Sequence, residues 1–544
     1  MQSNSKERFR KKATVWWLLL LVHGDALRAT PLAYLTAIQW KLRCKRLRAR
    51  GQLAPLLSQS PRAYRLWMLQ QDEPRKVDWS EADATPPIVA LIDISMGESR
   101  LADTINSLSA QGVTALLIGT AALPTLFEAA ARIDWDQNPW LMPIASGDIV
   151  DPGGIRAYRN IVGKTDLTDR VPKIIYADDD LLDWRGRRHT PHFKPDWNSE
   201  LFCHFDYITG ACILRASSQD LEALAGVSDW AQQLVSRIAG QVSPIHLSQM
   251  VHHRCARPMP RVPTTTAQSH DLPSVTVIIP TRNRANLLRT CLEGVAATHY
   301  PNMEIIIVDN ASDDPQTLAY LEALDPAKYR VLCHPGVFNY SAINNRAASE
   351  ARGDLLCLLN NDIEIIDPNW LATMAVQAQR EDVGAVGAQL LYPDGRVQHA
   401  GVVIGVGNAA GHAHRFVYPD EDGYFFRHAL PQFTAAVTAA CLVVQRERFF
   451  AVGGLNERNF PVAFNDVDLC LRLNQRGWQS FYEPRATLIH HESVSRGLDQ
   501  DPIGAARFAG ELAALQRLWG TNSIIDPFHH PELSRASERF VVSI

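Results

Sequence analysis

The sequence predicts an α/β protein built largely on parallel strands, with the same layered unit present twice. Two observations carry this. After residue 273 short unbroken apolar runs alternate with stretches of helical spacing, in the order "SVTVIIP", "RANLLRTCLEGVAAT", "MEIIIVDNASDD" and "PQTLAYLEAL". A strand apolar at every position is covered on both faces, which requires helices on both sides of a parallel sheet. The second observation is a repeat. "PIVALIDISMGESRLADTINSLSAQ" (87–111) parallels the first of these strand–turn–helix units, and "TALLIG" parallels "MEIIIVDN". "GDIVDPGGI" echoes "NDIEIIDPNWL", "ITGACILRAS" echoes "TAACLVVQRE", and "SPIHLSQMVHH" echoes "ATLIHHESVS".

The elements follow in order. Residues 1–82 read as a basic helical region with the clusters "KERFRKK" and "KLRCKRLRAR". These suit a solvated helical face or docking on an anionic membrane surface. They lack the aromatic readers on a defined motif that nucleic-acid binding needs, so no nucleic-acid partner is expected. "ATVWWLLLLV" (13–22) is about half the roughly 20 residues needed to cross a bilayer. It imitates a signal peptide, but "HGDALRA" offers no small-residue cleavage site, so it reads as an interfacial or core helix. The first α/β copy spans 84–256, a Pro-, Thr- and Ser-rich linker 257–272, the second copy 273–500, and a C-terminal helix and tail 501–544.

A length of 544 residues implies at least two domains, and 46% hydrophobic with 21% charged residues describes a folded chain. The nine cysteines form no CxxC pair, and several lie inside apolar runs, which fits reduced core residues of a cytoplasmic protein.

In parallel sheets, ligands sit at the carboxyl ends of strands. The second copy places four polar clusters there. Asp309, with Asp313 and Asp314, follows "EIIIV", and Asp362 and Glu364 follow "LLCLL". Asp466 and Asp468 follow "FPVAFN", and His490 and His491 follow "PRATLI". Each cluster alone has a structural reading as a turn, a helix cap (Asp468 for "LCLRLNQRG") or a core imidazole. Together, carboxylates and a histidine suit a divalent ion holding a phosphate-bearing ligand. No phosphate-cradling glycine loop competes: "GVGNAAG" (405–411) has the wrong spacing, and no GxxxxGK[ST], GxSxG or HExxH occurs. A diphosphate would then need a metal to offset its charge, which Asp362 and His490 could supply. The first copy lacks these groups: Gly119 stands where Asp309 would be, and nothing matches "FNDVD".

In order along the chain, "SVTVIIPTRNR", "EIIIVDNASDD", "FNYSAINNRAA", "LLNNDIEIID", "QHAGVVIG", "VGGLNERNFPVAFNDVDLCLRL" and "HHESVSRG" resemble glycosyltransferase family 2, most of all its two-part bacterial rhamnosyl- or O-antigen-type members. "IIYADDDLLDWRGRRHTPHFKPDWNSELF" resembles the non-catalytic leading half of those proteins.

The resemblance implies a GT-A (Rossmann-like) catalytic domain preceded by a degenerate GT-A-like domain. It implies inverting transfer of a sugar from a nucleotide-diphosphate donor to a glycan or lipid-linked acceptor in surface polysaccharide synthesis, assisted by Mg²⁺ or Mn²⁺. Under it Pro280, Thr281, Arg282, Asp309, Asn310 and Asn344 border the nucleotide. Asn360 and Asp362 fall in the metal-binding Asp-x-Asp, with Asn360 replacing its first Asp. His490, or its neighbour His491, falls at the later metal ligand, Asp466 at the catalytic base, and Arg496 near the departing diphosphate. At the start of a helix the Asp466 carboxylate is expected to stay ionised through the dipole. Two alternatives are a non-catalytic sugar- or nucleotide-binding scaffold and a sugar nucleotidyltransferase. The latter would want a Gly-rich loop after the first strand, and "PTRNRANLL" has no glycine.

Overall fold

The computed structural model describes residues 2–71, 85–94, 97–165, 172–264, 271–491 and 502–544. The chain opens with four helices, α1 (Gln2–Ala29), α2 (Pro31–Leu42), α3 (Arg46–Ser58) and α4 (Ala63–Gln71). They pack on one another through Leu18, Val22, Ala37, Leu53 and Leu66. Among the described residues, no helix is long and apolar enough to cross a membrane.

Eight strands then form the first sheet. They are β1 (Ile88–Asp93), β2 (Thr114–Ile118), β3 (Trp140–Ala145), β4 (Ile149–Val150), β5 (Ile174–Leu182), β6 (Arg188–His192), β7 (Cys212–Leu214) and β8 (Ile245–Arg254). The second sheet begins with β9 (Val275–Thr281), β10 (Met303–Asp309), β11 (Tyr329–Cys333), β12 (Leu355–Leu359) and β13 (Ile363–Ile365). It continues with β14 (Val383–Leu391) and β15 (Val397–His399); β16 (Val402–Ile404) and β17 (Ala410–His412) form a separate ribbon. β18 (Gln432–Thr434), β19 (Cys441–Gln445) and β20 (Gln479–His490) complete it.

The two strand orders are β2-β1-β3-β7-β5-β8-β4 and β11-β10-β9-β12-β19-β14-β20-β13. Apart from β11 they correspond strand for strand: β1 with β9, β2 with β10, β3 with β12, β4 with β13, β5 with β14, β7 with β19 and β8 with β20. The directions match as well. β7 and β19 run antiparallel to both neighbours, while β5·β8 and β14·β20 are parallel. The pairs that look alike in the sequence are the pairs that occupy like places.

Alternation along β9 shows why the strand is apolar throughout. Val275, Val277 and Ile279 point to one face, into the cluster around Trp370 and Met374, and Ile278 points to the other, into the cluster around Ile343 and Phe449. Each such buried aliphatic side chain contributes about 1.5–3 kcal/mol relative to exposure. The halves meet directly: the Asn198 amide donates to the Phe433 carbonyl at 2.8 Å, and Arg380 pairs with Glu200 at 2.7 Å. Arg257, at the start of the expected linker, is pinned to Asp179 of the first sheet by an ion pair.

Candidate active site

The parallel strands β9, β10 and β12 end together, with Thr281 opposite Asp309 in the register. Beyond these ends opens a cleft of about 1010 Å³. Pro280, Thr281, Arg282, Asn310, Asn360, Asp362, Asp466 and His490 all line it. Five segments far apart in the chain are therefore brought to one place.

The rim after β9 turns on two consecutive left-handed residues, Asn283 (φ 57°) and Arg284 (φ 60°), a conformation that costs non-glycine residues energy. The Asn283 side chain holds it: its carbonyl accepts the amides of Asp313 and Asp314, both at 3.0 Å, and its amide donates to Asp313 at 2.8 Å. Asn310 donates its amide to the His334 carbonyl at 2.9 Å, while its Oδ1, buried in the cleft wall, finds no hydrogen-bond partner among the described residues. A buried acceptor left in this state is costly unless a ligand meets it.

β13 lies antiparallel to β20 with Ile363 opposite His490, which sets Asp362 against the histidine. His490 Nε2 and Asp362 Oδ1 are 3.1 Å apart. Gln398 decides the tautomer. Its amide donates to the His490 carbonyl at 3.5 Å, so its Oε1 accepts His490 Nδ1–H at 2.7 Å. In the neutral ring Nε2 then presents a lone pair to a carboxylate oxygen, two acceptors face to face. A divalent ion coordinating both resolves that conflict, and Gln398 is the outer partner such a ligand histidine needs. Asn360 lies beside them, its amide nitrogen 3.5 Å from His490 Nε2. His491 does not line the cleft; its Nε2 is 2.9 Å from Glu364 Oε2.

Asp466 faces the same cleft from the first turn of helix Asn465–Gln475. Its carboxylate accepts the amides of Ala439 at 3.0 Å and Val467 at 2.8 Å. Burial pushes its pKa up against these hydrogen bonds and one from Thr438. Desolvation thus acts on this group beside the helix dipole, and it makes Asp466 a stronger proton acceptor than an ordinary carboxylate.

Residues 276–410 match the family model described as Glycosyl transferase family 2. This segment is a glycosyltransferase family 2 domain. The chain is 38% identical over 465 residues to an uncharacterized protein of Sinorhizobium fredii, covering 76% of this chain and 50% of that protein. It is 35% identical over 410 residues to the O-antigen biosynthesis protein RfbC of Myxococcus xanthus, covering 66% of this chain and 31% of that one. Over 63 residues it is 44% identical to an N-acetylglucosaminyl-diphospho-decaprenol L-rhamnosyltransferase of Mycobacterium tuberculosis, covering 12% of this chain and 20% of that one. The chain spans half or less of the length of these relatives.

Three of the expected residues take other places or roles. Asp309 does not line the cleft; its carboxylate is turned back to accept the Ser312 hydroxyl at 2.5 Å, which shapes the turn beneath Asn310. Asn344 is fully buried inside helix Tyr340–Glu350, donating to the Tyr340 carbonyl at 2.8 Å. Asp468 does not cap its helix: Phe464 stands at that position with φ 60° and no side-chain cap. Asp468 instead pairs with Arg472 at 2.8 Å and accepts the Trp519 indole N–H at 2.9 Å, tying the helix to Pro502–Trp519. Arg496 lies outside the described residues.

Reading the sequence missed Gln398, Thr438, His412 and Arg507, which all line the cleft. Arg507 comes from helix Pro502–Trp519, one turn before Glu511, whose buried carboxylate accepts the amides of Val462 and Ala463 at 2.7 and 3.0 Å just ahead of Asp466. The Arg507–Glu511 spacing was the available signal, but it is equally that of a surface ion pair.

The matching end of the first sheet is closed by the protein's own cations. Asp148, in the place of Asp362, has Arg254 Nε 3.5 Å away, and burial pushes its pKa up to about 6 against that arginine. His253, in the place of His490, has both ring nitrogens engaged, by Asp180 at 2.7 Å and Asp151 at 3.1 Å. Asp179 meets Lys194 at 2.6 Å. Asp178 lies 3.0 Å from His246 and 2.9 Å from His530, a grouping with the reach of a metal site. However, His530 Nδ1 accepts the Glu532 amide, so Nε2 carries the ring proton and offers no lone pair.

Proposed function

We propose that the chain transfers a sugar, with inversion, from a nucleotide-diphosphate donor to a glycan or lipid-linked acceptor in bacterial surface polysaccharide synthesis. The observation that carries this is one cleft joining the Asp362–His490 pair to the desolvated carboxylate of Asp466. The names of the M. xanthus and M. tuberculosis relatives support the polysaccharide setting and a rhamnosyl-type donor.

Pro280, Thr281, Arg282 and Asn310 border the nucleotide, Asn310 offering its unmet Oδ1. Asp309 and Asn344 act from behind, holding the turn and the helix. Asp362 and His490, with Asn360 beside them, hold Mg²⁺ or Mn²⁺, which when bound supplies positive charge against the diphosphate. Arg507 adds a fixed cation at the rim. Asp466 accepts the proton of the acceptor hydroxyl while its oxygen bonds to the anomeric carbon and the bond from that carbon to the diphosphate oxygen breaks. One base opposite a leaving group suffices for inversion, and no protein nucleophile is needed. The 84–256 region acts as a non-catalytic copy of the 273–500 catalytic domain, because tethered cations occupy the place of its ion.

The test is an assay of donor hydrolysis and transfer across UDP-, dTDP- and GDP-sugars, with and without Mn²⁺. Metal-dependent turnover of at least one donor is the expected result. Nucleotide binding without turnover of any donor would favour a scaffold instead, and pyrophosphate-linked synthesis of the donor would favour a nucleotidyltransferase.

The N-terminal helices add a partner. Trp16, Trp17 and Leu20 on α1 are 66%, 62% and 62% exposed, and Leu32, Leu35 and Leu42 on α2 are exposed too. Arg10, Lys12, Lys41, Arg43, Lys45, Arg48 and Arg50 stand exposed nearby in sequence. Apolar and aromatic anchors with cations and few acids suit an anionic bilayer surface, which would place the enzyme at the cytoplasmic face of the membrane. The full chain is expected to sediment with phosphatidylglycerol vesicles and not with phosphatidylcholine vesicles, and the Trp16→Ser/Trp17→Ser/Leu20→Ser variant to remain in solution. Equal sedimentation of variant and parent would refute the contact.

A further inference from the structure

Two histidines in the cleft wall take no part in the chemistry above. His399 ends β15 and is fully buried; His412 ends β17 and lines the cleft. Their rings meet edge to face at 84°, with Nδ1 2.8 Å from Nδ1. One nitrogen must donate and the other accept. The backbone amide of Thr438 settles which, because an amide N–H only donates, and it points at His399 Nε2 at 3.4 Å. His399 Nε2 is therefore the lone-pair nitrogen, its proton sits on Nδ1, and Nδ1–H donates to His412 Nδ1. The proton of His412 is left on Nε2, the nitrogen remaining for the cleft.

Both rings stay neutral. Burial pushes His399 well below the ordinary imidazole range, and it pushes His412 to about 3, with Arg415 and His490 adding to the shift. A neutral imidazole locked as the Nε2–H tautomer is suited to holding an oxygen lone pair, not to moving protons. The turn that fixes it also fixes the base: Thr438 N–H orients His399, and the next amide, of Ala439, holds Asp466. The chain leaves His399 through Gly401 at φ 91°, where a Cβ would come 2.7 Å from the Thr434 hydroxyl, so only glycine makes that turn.

We propose that His412 Nε2–H recognises a hydroxyl oxygen of the transferred sugar, and so helps select which sugar the enzyme accepts. The inference rests on the glycosyl-transfer reading. The nucleotide end of the cleft lies at β9 and β10, and the diphosphate at Asp362 and His490. His412 lies near enough to His490 to feel its charge and, through His399, joins the turn that holds the base. The part of a nucleotide-diphosphate donor that extends beyond its diphosphate is the sugar, and a neutral hydroxyl calls for a neutral donor.

The experiment is calorimetric titration of the full chain with Mn²⁺, using the nucleotide-sugar identified in the donor screen and the bare nucleotide diphosphate. The wild type is expected to bind the nucleotide-sugar more tightly than the bare nucleotide. His412→Ala should lose about 2- to 12-fold in affinity for the former, the value of one hydrogen bond, and nothing for the latter. His412→Gln, which retains an N–H donor, should recover part of the loss. Deoxy-donors lacking the contacted hydroxyl should bind wild type and His412→Ala alike. If His412→Ala does not fold, the deoxy series on wild type and His412→Gln makes the same comparison.

Equal weakening of sugar-nucleotide and bare nucleotide would mark a purely structural role and overturn the proposal. Intact donor affinity with a raised acceptor KM would overturn it in favour of acceptor recognition. A wild-type chain that binds no nucleotide-sugar would remove the parent reading, whereas normal donor binding indifferent to His412 would remove only this one.

Discussion

Asp466→Asn is expected to lower turnover by about 10²–10⁴-fold, the usual worth of a general base, while nucleotide and Mn²⁺ affinities in titration stay at the parent values. The pH behaviour separates this from a packing defect. Burial raises the Asp466 pKa, so kcat/KM of the parent should fall on the acid side above the usual carboxylate value of about 3.9, and the variant should lose that limb. Stability should move the other way. A carboxyl whose folded pKa is raised contributes stability below its unfolded pKa and loses it as pH rises through the folded value. The parent therefore loses stability over that window and the uncharged variant does not, so melting temperatures should shift in the variant's favour as pH rises above the ordinary carboxylate value. Near-parental transfer by Asp466→Asn would remove the residue from the role.

Asp362→Ala is expected to cost about 100-fold or more in transfer and to leave the remaining activity insensitive to chelator. In the parent, chelation should bring activity down to the same level. The two losses share one origin, so they should not add. His490→Ala should behave likewise, and Gln398→Ala more mildly, at about 10- to 100-fold in metal affinity, because it orients the imidazole without touching the ion. An Asp362→Ala enzyme that still responds fully to Mn²⁺ would place the ion elsewhere. With Asn360 supplying a neutral amide, the proposed ion site would rely on Asp362 and His490 more heavily than an Asp-x-Asp pair would.

Much of this architecture was legible because strand and helix periods are local. "SVTVIIP" and "PIVALID" each announce a strand covered on both faces, and their shared order of neighbours revealed the duplication that the two sheets display. The polar ends at Asn360, Asp362 and His490 were legible for the same reason, since they terminate apolar runs that could be counted. What escaped depends on tertiary direction. Asp309 and Asn310 are adjacent, but only the second faces the cleft, because Ser312 turns the first away. Asp468 carries the composition of a helix cap and lies one turn too far along to serve as one. Arg507 and His412 reach the site from segments whose spacing has equally ordinary explanations. The burial that raises the Asp466 pKa is a property of the folded cleft wall and leaves no mark on "FNDVD".

The cations that close the end of the first sheet have a further consequence. Lys194, Arg254 and Arg257 are covalently part of the chain, so the positive charge they bring can neither be withdrawn by a chelator nor depart with a product. Under the proposed function the second sheet would exchange its counter-charge with the solution, whereas the first carries a permanent one. On that reading one half of the molecule would respond to the ionic composition around it, and the half it leans on would be indifferent to it.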